Sequence, residues 1–161
     1  MTGLYDLDMF KRILFVAVAS ISFAFTTGDS SQKAFEWNTW NEGFPKATAE
    51  QKIALIDVYT DWCGWCKRMD ATTYRDSNIV QKINENFVPI KFNPEKKGKY
   101  IVGPDTFNGR QLEMALSQNQ RSGYPTTFFY IPSKNAMVQR PGYMDAAAFG
   151  KLLDEMIARS K

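Results

Sequence analysis

The stretch Trp62-Cys63-Gly64-Trp65-Cys66-Lys67 holds both cysteines of a 161-residue chain, with two residues between them. Two thiols at that spacing can close a small disulfide, supply half of a tetrahedral metal site, or trade electrons with other thiols. A bridge between Cys63 and Cys66 closes a very short loop, and the chain-entropy argument gives it little structural value. A structural zinc usually takes four ligands, and the chain has no histidine to complete the set, so only a second copy could supply the rest. The missing histidine also excludes Ser-His-Asp and Cys-His catalysis within the chain. Haem attachment would need a histidine where Lys67 stands. A reversible dithiol–disulfide pair remains. It needs no cofactor, because the dithiol is itself the redox centre.

The elements around the pair must give each sulfur a different task. The run from Lys52 to Tyr59 is short, apolar and rich in β-formers, which predicts a buried strand. The cysteines then fall where this strand passes into a helix. Backbone N–H groups are unpaired there, the helix dipole is positive, and a thiolate is stabilised. Cys63 is therefore expected to be exposed, with a lowered pKa, and to form mixed disulfides. Cys66, one turn further, is expected to be buried and to resolve them, with Lys67 adding positive charge. Asp57 interrupts the apolar run six positions before Cys63. A buried carboxyl is costly without a task or a partner, and burial raises its pKa. It is expected to take the proton from Cys66 as that sulfur attacks; the plainer alternative is a strand-edge aspartate bonded to backbone. Trp62 is expected to pack beside the site and shield it. Gly64 and Trp65 lie between the cysteines. Trp65 is read as an exposed contact for a partner protein, or else as cover for a hydrophobic edge. Trp37 and Trp40 are assigned to core packing of the first helix.

Upstream, Lys11 and Arg12 precede an apolar run from Ile13 to Phe25. That is the pattern of a secretory signal peptide, and the run is short of the roughly 20 residues that span a bilayer. Small residues at Ser22 and Ala24 predict cleavage after Ala24, with Met9 as an alternative start. A buried N-terminal helix is the competing reading. The expected organisation is a signal peptide over 1–24, a linker over 25–35 and one domain over 36–161, exported to a periplasm with no stable span left after cleavage. The net charge of +3 is mild, and its one basic cluster, Lys96, Lys97 and Lys99, reads as a solvated loop rather than a nucleic-acid face.

Downstream, Ile79, Val80, Ile83 and Phe87 recur at helical spacing and predict a helix over 76–87. Phe87 to Phe92 reads as a second strand and Asn93 to Asn108 as a polar loop. A helix follows over 109–118, then a strand over 123–131 with Pro125 at its head. A turn over 132–135 leads to a fourth strand over 136–140. Asp145 is placed to cap a last helix whose inner face is Phe149, Leu152, Leu153, Met156 and Ile157. Strands alternating with helices, closed by a hairpin, imply an α/β architecture: a mixed sheet with helices on both faces.

The stretch from Asp57 to Lys67, the Tyr124-Pro125-Thr126 segment and Gly142 together resemble the thioredoxin-like family of exported thiol–disulfide oxidoreductases. The segment YTDWCGWCKRMD is most similar to the branch containing the thioredoxin-like domains of envelope reductases. The resemblance implies a thioredoxin fold with a central sheet of four to five strands. It implies a cis proline at Pro125 facing the cysteines, and a Tyr124 that presents its backbone to an extended substrate. It makes Asp57 the buried acid and Lys91 its companion lysine. The implied activity is reduction of disulfides in exported proteins, fed by a membrane electron-donor protein. Two features depart from the pattern. The dipeptide between the cysteines is Gly-Trp, which leaves an oxidant or isomerase as an alternative. The loop over 93–108 is long, and either shapes partner choice or is an idle insertion. A third alternative is a client-binding module that uses the cysteines as a redox latch, with Tyr124, Trp65 and the long loop as its surface.

Overall fold

The computed structural model describes residues 34–120 and 122–161. The signal peptide expected over 1–24 lies outside the described residues, as does most of the linker expected over 25–35. The domain is a mixed four-stranded sheet with helices on both faces. The elements run α1 (Trp40–Glu50), β1 (Ile53–Val58), α2 (Gly64–Ala71), α3 (Ser77–Asn86), β2 (Phe87–Phe92), β3 (Tyr100–Val102), β4 (Asp105–Phe107), α4 (Gly109–Leu116), β5 (Thr126–Ile131), β6 (Ala136–Pro141) and α5 (Ala146–Ser160). Short 3-10 turns at Thr73–Arg75 and Pro132–Lys134 join α2 to α3 and β5 to β6.

The strand order is β2-β1-β5-β6, with β1 and β2 parallel and the other pairs antiparallel. A single parallel bridge from Asn38 to Ile90 stands where a fifth strand would lie. β1 is central and fully buried, so its side chains feed two cores in alternation. Ile53 and Leu55 join Phe129, Ile79, Ile83, Phe149 and Leu153 on one face. Ala54, Ile56 and Val58 join Phe128, Trp40 and Leu112 on the other. Asp57 therefore shares the face of Ile53 and Leu55, and points under α2.

The local signals behave as their chemistry requires. The Asp76 carboxylate accepts from the N–H groups of Asn78 and Ile79 and starts α3. Asp145 does the same for α5 through the Ala148 N–H. The segment read as a polar loop over 93–108 contains two short strands. It folds into the β3–β4 hairpin, turned at Gly103 with a φ of 58° and tied down by α1. The Trp40 indole N–H donates to the Ile101 carbonyl at 3.0 Å, and the Asn41 side chain bonds both Lys99 and Ile101. Trp40 is buried as expected, but Trp37 precedes the helix instead of lying on it.

Candidate active site

β1 delivers the chain to the sheet's upper edge, and α2 carries it away. Cys63 is the N-cap of α2, with its backbone extended and its N–H bonded to the Thr60 carbonyl. Its Sγ is joined to that of Cys66 at 2.05 Å and accepts the Cys66 N–H at 3.1 Å. The sulfur thus turns inward onto the first turn of the helix. This corrects the expectation of an exposed Cys63: in the disulfide form it is 4% exposed, and Cys66 is 2% exposed. The outermost groups are Trp62 and Trp65, at 67% and 55% exposure. Gly64, at the start of α2, has open space where a side chain would be.

Each tryptophan pairs with a tyrosine from the far end of the chain. The Trp62 ring meets Tyr124 edge-on at 5.7 Å, and its indole N–H donates to Glu95 at 2.9 Å. The Trp65 ring lies 5.1 Å from Tyr143, and the Arg68 guanidinium stands over both rings at 5.5 and 5.7 Å. Trp62 is thus an exposed wall, braced by Tyr124 and Glu95.

The Tyr124–Pro125 peptide bond is cis. Thr126, the next residue, pairs with Val58 at the end of β1, so this corner reaches the site by strand register. The Pro125 carbonyl accepts the Gly142 N–H at 2.8 Å. Gly142 has a φ of 95°, a region that side-chain-bearing residues rarely enter.

Near the end of β1 lies a charged row, tied to α2 through Asp70. Lys91, Asp57 and Thr127 are register partners on β2, β1 and β5. Asp57 is 1% exposed, and its Oδ2 accepts from Lys91 Nζ at 2.5 Å. The alternative of a backbone-bonded aspartate does not hold. Its Oδ1 has no hydrogen-bond partner among the described residues, nor do the buried hydroxyls of Tyr74 and Thr127. Burial pushes the Asp57 carboxyl up from its ordinary value; Lys91 opposes this and nearby Asp70 adds to it. Lys91 also donates to Asp70 Oδ1 at 2.6 Å. Burial works against its charge, but the two carboxylates prevail and hold its pKa above the ordinary lysine range. Trp37, Tyr59 and Tyr74 surround the ammonium at 4.9, 4.7 and 5.6 Å, giving it ring faces in place of water.

The sequence reading found Asp57 and Lys91 but not Asp70, Tyr74, Glu95, Arg110 or Glu113. Asp70 had a signal, since it follows Cys66 by four residues and so shares its helix face. Arg110 and Glu113 stand three apart on α4 and so share its face, while Tyr74 and Glu95 lie on separate segments with no periodicity to join them. Among the described residues no group of three or more cysteine, aspartate and glutamate side chains is arranged to hold a metal ion. Nor is any helix there long and apolar enough to cross a membrane.

A cysteine pair capping a helix, above a buried acid and beside a cis-proline corner, places the chain among thioredoxin-fold proteins of the dithiol–disulfide kind. Solved structures agree on the fold. A thioredoxin from Thermus thermophilus matches with a TM-score of 0.62 at 18% identity, over 79% of this chain and 90% of its own. A structure titled DsbH Oxidoreductase matches with a TM-score of 0.57 at 16% identity, over 77% and 85%. The chain belongs to the Thioredox_DsbH family, described as "Protein of unknown function, DUF255", whose sequence pattern matches residues 27–155. It is also similar to the thiol:disulfide interchange protein DsbD of Haemophilus influenzae strain PittGG, at 25% identity over 131 residues. That match covers 79% of this chain and 21% of the relative, so the chain spans about a fifth of that protein's length.

Proposed function

We propose that this chain is an exported thiol–disulfide oxidoreductase that works as a reductase on protein disulfides. The observation that carries the reading is the Cys63–Cys66 disulfide at the α2 N-terminus with Asp57 buried in the strand below it. In the reduced chain, the Cys63 thiolate attacks one sulfur of a client disulfide. A mixed disulfide forms, and one client sulfur leaves as a thiolate that takes a proton from solvent. Cys66 then gives its proton to the Asp57 carboxylate and attacks the Cys63 sulfur. The Cys63–Cys66 bond closes, the second client thiol leaves, and the client has gained two electrons. Trp62, Gly64, Trp65, Tyr124 and Pro125 line the surface that receives the client. A dithiol of a membrane electron-donor protein returns the electrons by the reverse exchange. The printed name of the Haemophilus relative, a thiol:disulfide interchange protein, supports the exchange chemistry. Export to the periplasm rests on the basic and apolar pattern of residues 11–25.

The test is equilibration of the pair with a dithiothreitol or glutathione series. A reduction potential near the roughly −270 mV of thioredoxin supports a reductase. A value near the roughly −120 mV of a strong oxidant reverses the direction and leaves the two cysteines in their roles.

A further inference from the structure

The segment before Cys63 and the segment before Pro125 are joined by a closed ring of side chains, and Arg110 is its hub. The Trp62 indole N–H donates to Glu95 Oε2 at 2.9 Å. Glu95 Oε1 accepts from the Arg110 guanidinium at 2.8 Å. The other terminal nitrogen of Arg110 donates to the Tyr124 hydroxyl at 2.8 Å and to Glu113 at 2.9 Å. The Tyr124 hydroxyl in turn donates to Glu113 at 2.5 Å. The edge-on contact of Trp62 with Tyr124 closes the circuit.

The backbone holds this ring in place from below. Gly109, the first residue of α4, sits so close to Pro94 that a Cβ there would lie 2.3 Å from the Pro94 carbonyl oxygen. That approach brings Arg110 beside Glu95. The Asn93 side chain accepts the Glu95 N–H and donates to Asp61, tying the same turn to the residue before Trp62. Only a planar guanidinium can serve three partners in these directions at once; a lysine ammonium in the same place would be a single point charge.

We propose that Arg110 is a positioning residue for polypeptide disulfides, locking Trp62 and Tyr124 into one rigid wall of the client groove. The proposal rests on the exchange function argued above. A small disulfide need touch little beyond the cysteines. A polypeptide also has residues on either side of its own cysteine, and those must lie along Trp62 and Tyr124. A wall that is already ordered spares the complex the cost of ordering two large side chains. Arg110 is half exposed and belongs to neither hydrophobic core, so the variants that remove it are expected to fold.

The experiment compares wild type with Arg110→Met and Arg110→Lys on oxidised insulin and on hydroxyethyl disulfide, with dithiothreitol re-reducing the cysteine pair after each turnover and its uncatalysed rate subtracted. For insulin, KM is expected to rise about three- to fivefold in both variants, the scale of a partly exposed charged network, with kcat held. The rate with hydroxyethyl disulfide and the reduction potential should stay unchanged. In a Trp62→Ala background, Arg110→Met should add nothing. The Trp62 indole N–H resonance should move in Arg110→Met, a readout independent of turnover. An unchanged KM for insulin, an equal loss on both disulfides, additive effects with Trp62→Ala, or an unmoved indole signal would each overturn the proposal. If wild type reacts with neither disulfide, the oxidoreductase reading itself fails and takes this role with it. A wild type that reacts normally, beside an indifferent Arg110→Met, removes only the role of Arg110.

Discussion

Replacing Asp57 by asparagine should slow the chemistry and stabilise the fold, and both effects follow from the same buried oxygen atoms. Asp57 is 1% exposed, and its Oδ1 accepts nothing among the described residues. Ionised, it is held chiefly by Lys91, with a smaller contribution from the Tyr74 hydroxyl, and Lys91 divides its charge with Asp70. Removing one partner of a buried pair usually costs about 3–5 kcal/mol, because the other charge is stranded. Here Lys91 keeps Asp70 and three aromatic faces, so that cost is largely avoided. What remains is relief from an under-bonded buried acceptor, about 1–3 kcal/mol in favour of the variant. The pH dependence has a fixed sign. The folded carboxyl titrates above the unfolded value of 3.8, so its ionisation subtracts stability as pH rises through that window. Wild type and Asp57→Asn should therefore be nearly equal in stability below pH 3.8 and diverge above it. The gap levels off once the folded carboxyl is fully ionised. Urea unfolding at several pH values, with the disulfide intact, measures this. On the proposed mechanism the same variant loses the proton acceptor for Cys66, and client reduction should fall about 100-fold near neutral pH. A variant as fast as wild type, or one whose stability deficit is the same at low and high pH, would refute the reasoning.

Lys91→Met leaves the Asp57 charge without its cation. It should destabilise the oxidised protein by about 3–5 kcal/mol above neutrality, and by progressively less as falling pH protonates the carboxyl; urea midpoints across a pH series decide it. Gly109→Ala forces a methyl group against the Pro94 carbonyl, which is backbone and cannot swing aside. A loss of about 1–3 kcal/mol in unfolding free energy is expected. Asp57→Asn and Arg110→Met share no bonding partner, so their effects on kcat/KM for a protein client should add within about 0.5 kcal/mol. A larger deviation in that double-mutant cycle would mean that the groove wall and the proton acceptor are coupled.

The sheet and its helices were readable because each repeats a pattern over enough residues. Ile79, Val80 and Ile83 mark one face of α3, and six consecutive buried residues mark β1. Asp57 stood out because it breaks such a run. Lys91 was matched to it through the family resemblance, and the strand register then sets the two side by side. The hairpin of β3 and β4 escaped because each strand has three residues, too few to show alternation. Trp37 was misplaced because an aromatic residue before a helix looks like one inside it until Thr39 and Glu42 are seen to cap the first turn. The surface ring was invisible for a deeper reason. Trp62, Glu95, Arg110 and Tyr124 come from four segments, and only the closed fold makes them neighbours.

The two sets of charges act on the sulfurs in opposite senses, and the balance bears on the direction of electron flow. The helix N-terminus and Lys67 lower the cost of a thiolate at Cys63, which stabilises the reduced form. An ionised Asp57 under the same turn raises the cost of a second negative charge nearby, which favours the closed disulfide. The Lys67 charge is exposed and weakened by solvent, while the helix N-terminus acts on sulfurs that are buried and Asp57 acts from the interior with Lys91 already shared. Where the Asp57 charge prevails, the pair gives its electrons away, as the proposed reductase reading requires, and the measured reduction potential decides it.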